Sequence, residues 1–143
     1  MSAGYKFLPH TTDAYIEAYG TTMEKAFASA GLSLFDTICD VNSISKSMSE
    51  EIQITAGNES RLLYDWLEAL LLKFELEGKV YSGIDVREIS RDGGSLKLYA
   101  IISGETYDKS RHGAKVEVKA VTFHRMEVLA NSSSVVLRFI LDL

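Results

Sequence analysis

Apolar and polar residues change period several times along this chain, and each change marks an element. Tyr5–Leu8 reads as a short strand that Pro9 ends. From Asp13 to Tyr19, Ala14, Ile16 and Ala18 alternate with Tyr15, Glu17 and Tyr19, the period of two that a strand requires. Thr21 and Glu24 have the Thr-x-x-Glu spacing of a capping box. Met23, Ala26, Phe27, Ala30, Leu34 and Ile38 then recur at steps of three and four, so a helix is predicted from about Thr22 to Cys39. Ser43 to Ser49 is polar and reads as a surface loop, and Glu51 to Thr55 alternates as a strand. Asn58 is placed to cap a second helix carrying Leu62, Leu63, Trp66, Leu67, Leu70, Leu71 and Phe74, with Gly78 placed to stop it.

Beyond Gly78 the pattern is β. Val80 to Ser90 and the alternating Leu96, Leu98, Ala100 and Ile102 flank Asp92-Gly93-Gly94, which is a hairpin signal. Gly104 to Gly113 reads as a charged loop. Val116 to Phe123 is β-rich in composition and is assigned to a strand, with a helical turn near Lys119 as the alternative. Met126–Leu129 and Val135–Leu141 form a last pair across the turn Asn131-Ser132-Ser133-Ser134, and the second of them is apolar enough to be central. The expected fold is α+β. One domain spans residues 1–143, with two main helices packed on a largely antiparallel or mixed sheet.

Composition narrows the function classes. There are 143 residues, 46% hydrophobic and 24% charged, which suits a globular chain with its own core and not a disordered one. Fifteen Lys and Arg against 20 Asp and Glu leave a net charge of -5, unsuited to an autonomous nucleic-acid binder. A single cysteine, Cys39, excludes an intrachain disulfide and a multi-cysteine zinc site, and it suits a reducing cytoplasm. At a helix end it reads as an inert, partly buried thiol. The N-terminus lacks a signal pattern, and no apolar run reaches the roughly 20 residues of a membrane span.

Phosphate-loop, dinucleotide and nucleophile-elbow motifs are absent. His10, His112 and His124 have no paired ligand spacing. Three local clusters remain. In His10-Thr11-Thr12-Asp13, Asp13 stands at a strand end, where its carboxylate offers hard oxygen to Ca²⁺ or Mg²⁺; a turn-forming aspartate is the competing reading. Glu105, Asp108 and His112 lie in the charged loop, where a solvated surface is an equal alternative. Asp142-Leu143 closes the chain with two carboxylates on a rigid strand, half of a cation site or merely a solvated end.

These residues also carry a resemblance. The chain is similar to the archease family in His10-Thr11-Thr12-Asp13, in Tyr19-Gly20-Thr21 followed by Ala26-Phe27-Ala28 and Ala30, and in Leu34-Phe35-Asp36. The likeness continues through the Leu63–Leu71 helix with Trp66-Leu67, Gly104-Glu105, Glu117-Val118-Lys119-Ala120-Val121-Thr122-Phe123-His124 and the final Asp142-Leu143. Thr12 stands where alanine is usual, Pro9 where an acidic residue is common, and Phe123 where tyrosine is usual.

The resemblance implies a non-catalytic accessory protein of the RtcB-type RNA ligase of tRNA splicing. Such a protein promotes ligase guanylylation and repeated turnover, and meets tRNA only through the ligase. It implies a divalent cation, Ca²⁺, held by Asp13, Asp142 and Leu143, and a functional lysine at Lys119. Glu105, Asp108 and His112 match less specifically and stand as possible contact residues. The localisation expected is cytoplasmic, with neither membrane nor DNA as a partner. A metal-dependent small-molecule hydrolase and a chaperone-like binding module are the alternatives.

Overall fold

The structure is a computed structural model and describes residues 2–10 and 12–143. Thr11 of the His-Thr-Thr-Asp motif and Met1 of the N-terminal segment lie outside the described residues. The strands are β1 (Gly4–Leu8), β2 (Ala14–Gly20), β3 (Met48–Ala56), β4 (Lys79–Asp92), β5 (Ser95–Thr106), β6 (Ala120–Val121), β7 (Glu127–Ala130) and β8 (Val135–Asp142). The helices are α1 (Met23–Ile38), α2 (Glu59–Glu77) and the single turn α3 (Lys109–His112). A 3-10 turn covers Val41–Ser43.

Among the described residues the strands divide into two sheets with antiparallel pairing throughout, so the expected α+β class holds. The first sheet has the order β1-β2-β8-β6, with β7 also paired to β8, and the second has the order β3-β5-β4. β8 is the central strand that its apolar run predicts: Val135, Leu137, Phe139, Ile140 and Leu141 are all buried. Helix α1 touches β2 of one sheet and β4 of the other, and α2 lies against α1 and β3. The Trp66 indole donates to the Phe27 carbonyl at 2.9 Å, tying the two helices together inside the core. No helix among the described residues is long and apolar enough to cross a membrane.

The second helix starts and stops as its sequence predicts. The Asn58 side chain accepts from the Arg61 N–H at 2.9 Å, and Gly78 ends the helix at φ 65, a left-handed conformation that favours glycine. The first helix is capped one residue later than the Thr21 spacing suggests. Thr22 is the cap and accepts from the Lys25 N–H at 3.2 Å. Glu24 does not close a box: its carboxylate accepts from the Ile89 N–H at 3.1 Å, so a long-range contact wins over the local one. Cys39 caps the other end of α1. It is fully buried, and burial pushes its thiol up to about 11, which makes it inert.

Three assignments change. The segment 116–123 is neither a full strand nor a helical turn; only Ala120–Val121 pairs, with β8. Upstream, the Lys115 and Val116 N–H groups donate to the Ile38 and Thr37 carbonyls. The last carbonyls of a helix have no partner within it, so they capture this extended strap before a strand partner can. The expected charged loop is largely ordered. β5 runs on through Thr106, and Gly104 permits this, because a Cβ there would lie 1.9 Å from the Val80 carbonyl oxygen. β3 likewise begins at Met48, inside the predicted loop.

Candidate functional site

The first sheet brings a segment near the start of the chain and its last strand side by side. Ala14 pairs with Leu141, so the next residue outward on β8 is Asp142, and the residue just before β2 is Asp13. Asp13 lies in the bend that leads into β2 and Asp142 ends β8, so the two acids stand at the same end of this strand pair. Ala120 pairs with Asp142, and the Lys119 N–H donates to the Asp142 carbonyl at 2.7 Å. Lys119 is exposed, so its backbone is fixed beside this end while its ammonium faces water. Leu143 follows and is partly buried against the core, which holds the last residue in place.

Few protein groups answer these acids. His10 Nδ1 lies 3.9 Å from the Asp13 carboxylate, and the His10 ring meets Tyr15 edge-on with centroids 6.1 Å apart. The Asp142 side chain has no hydrogen bond or ion pair among the described residues, whereas Glu17, further along β2, is bound by Arg138 and Lys6. Burial pushes the Glu17 carboxyl up, but those two cations outweigh it and hold it below the usual range.

A divalent cation fits the chemistry of this donor set. Asp13 and Asp142 supply hard carboxylate oxygens, and Leu143 adds backbone oxygens. Calcium takes six to eight oxygens in flexible geometry. No cluster of three or more His, Cys, Asp and Glu side chains with ligand geometry occurs among the described residues. Any further ligands would therefore come from main-chain oxygens, water or a partner.

Glu105, Asp108 and His112 form a separate structural knot. His112 is fully buried, which removes it as a surface contact residue. Its Nδ1 accepts from the Asp108 N–H at 2.9 Å, so the ring proton sits on Nε2, which donates to Glu105 at 2.8 Å. The same carboxylate accepts from the Ser45 N–H at 2.7 Å and pairs with Arg111 at 2.5 Å. Arg111 first, then His112 and Ser45, pull the Glu105 carboxyl down to about 2. Asp108 caps α3 through the Ser110 N–H. Arg111 and Ser45 escape a sequence reading: Ser45 is far away in the chain, and only the Asp-x-Ser spacing signals the turn.

The archease family model matches residues 5–143. The chain belongs to that family. The archease of Methanosarcina mazei is 36% identical over 124 residues, which is 87% of this chain and 85% of that one. The archease of Methanothermobacter thermautotrophicus is 36% identical over 140 residues, covering 98% and 99%. The solution structure of a Methanobacterium thermoautotrophicum protein superposes with a TM-score of 0.83 at 32% identity, over 98% of this chain and 99% of that one.

Proposed function

We propose that this archease is a non-catalytic, cytoplasmic activator of an RtcB-type RNA ligase, promoting ligase guanylylation and multiple turnover. One observation carries the reading. A family match over nearly the whole chain coincides with an acid just before β2 and an acid at the end of β8, at the same end of that strand pair and beside an exposed lysine.

Asp13, Asp142 and the Leu143 oxygens would hold a divalent cation, Ca²⁺. When bound, it supplies a hard positive charge suited to phosphate oxygens. Lys119 adds a point charge to the same end. Its backbone bond to Asp142 keeps that charge in register with the carboxylates. The net charge of -5 favours approach to a basic, RNA-binding partner face.

The test is a reconstitution of the ligase with substoichiometric archease. Guanylylation should accelerate, and ligation should exceed one turnover per ligase. Lys119→Ala should fold normally, because an exposed lysine contributes little, within about 0.5 kcal/mol. It should still lower activation. A ligase left at a single turnover by well-folded archease would refute the reading.

A further inference from the structure

We infer that the cleft between the end of α1, α2 and the strap Ala114–Glu117 is a binding site for a small aromatic monoanion. Its volume is about 440 Å³, within the roughly 300–1,000 Å³ typical of small-molecule sites. The walls are Ile38, Phe74, Tyr107 and Val116. Phe74 and Tyr107 meet edge to face, with centroids 5.2 Å apart, and make an aromatic corner. Behind it the buried His112 ring stacks on Tyr107 at 5.7 Å, and the knot fixes His112. The corner is therefore rigid and preformed.

The polar groups define the charge of the ligand. Lys109 lines the cleft and has no carboxylate partner among the described residues, and the Tyr107 hydroxyl makes no hydrogen bond among them. Lys115 is shared with Asp36 at 2.9 Å, and Glu117 stands on the same wall. Asp36 therefore takes up the Lys115 charge, and Lys109 is the lining cation left without a carboxylate partner among the described residues, enough to match a single negative charge. A carboxylate or sulfonate on a flat ring meets both the aromatic corner and the Lys109 ammonium. A phosphate dianion would bring a second negative charge against Glu117.

The strap gives the site a reach beyond itself. It is tied at one end to the Ile38 and Thr37 carbonyls and at the other, through Lys119, to Asp142. A ligand seated on Val116 and Glu117 would stiffen the segment that carries Lys119. This inference does not depend on the ligase reading.

The probe is anilinonaphthalene sulfonate, titrated into the full chain and followed by amide chemical shifts and fluorescence. Saturable binding is expected, with shifts confined to the neighbourhood of Ile38, Phe74, Tyr107 and 114–117. Exchange of the Lys119 amide should slow. Val116 is 46% exposed, so Val116→Glu should fold, which an unchanged melting temperature checks. It should weaken binding roughly tenfold by placing a charge on the apolar wall. Lys109→Glu should weaken it in the same direction, and inorganic phosphate should leave these amides unmoved. Unsaturable binding, shifts centred elsewhere, or unchanged affinity in both variants would overturn the site. Equal response to phosphate would overturn its monoanion selectivity, and unchanged exchange at Lys119 would overturn the coupling.

Discussion

Two groups of acids and a histidine sit on this fold, and they are built in opposite ways. Around Glu105 every charge is answered from inside the molecule: Arg111, the His112 imidazole and the Ser45 N–H all converge on one carboxylate. Around Asp142 almost none is: its side chain has no partner among the described residues, and Asp13 has only His10 at 3.9 Å. The same residue types therefore do different work. A carboxylate whose hydrogen bonds are completed internally fastens segments together. A pair brought to one end of a strand pair with few partners keeps its oxygens available to something outside the chain.

That contrast breaks most sharply at His112. The ring is buried, bonded at both nitrogens and stacked on Tyr107, so His112→Ala leaves a cavity and strands the Asp108 N–H. We expect a loss of about 3–5 kcal/mol in denaturant unfolding. A loss below about 1 kcal/mol would show that the knot is not structural. The opposite end should respond to metal instead. Ca²⁺ should stabilise the wild-type protein by about 2.7 kcal/mol when free metal is 100 times the dissociation constant. Asp142→Asn should remove that thermal shift, whereas Glu105→Gln should retain it. A shift that survives in Asp142→Asn and in Asp13→Asn would move the cation elsewhere.

The elements readable from sequence are those whose signals are local. Asn58 and Gly78 bracket α2 because a cap and a left-handed stop need only their neighbours. The apolar run of β8 announces a central strand for the same reason. What sequence misreads depends on distant partners. Glu24 leaves its capping box for the Ile89 N–H, and the β-rich strap is captured by α1 carbonyls. Partition into two sheets is invisible to periodicity, which reports the face of a strand and not its neighbour. The candidate residues divide similarly. Asp13 and Asp142 stand out as carboxylates at strand ends, but their place at the same end of one strand pair is a matter of register between β2 and β8. The burial of His112 could not be read from a charged, loop-like stretch, because the groups around it include Asp40 and Ser43, which donate to its carbonyl from far away in the chain.

The mildest test of the contrast is acid. Glu105 titrates near its ordinary value of 4.5 when unfolded and at about 2 when folded, held down by Arg111, His112 and the Ser45 N–H. The folded state thus binds this proton less readily than the unfolded state. Its contribution is fully present above about pH 4.5 and is lost as the pH falls toward 2. Glu17 and Glu50 add to the same acid loss, since Arg138 and Lys6 for one, and Lys73 and Tyr81 for the other, outweigh the burial that pushes each carboxyl up. The diagnostic quantity is therefore a difference. Urea midpoints for the wild-type protein and Glu105→Gln, taken from pH 7 down to 2.5, should lie apart at neutral pH and draw together below about 4.5. If the gap stays constant across that range, the knot holds by packing and neutral hydrogen bonds, and the charge on Glu105 is incidental to it.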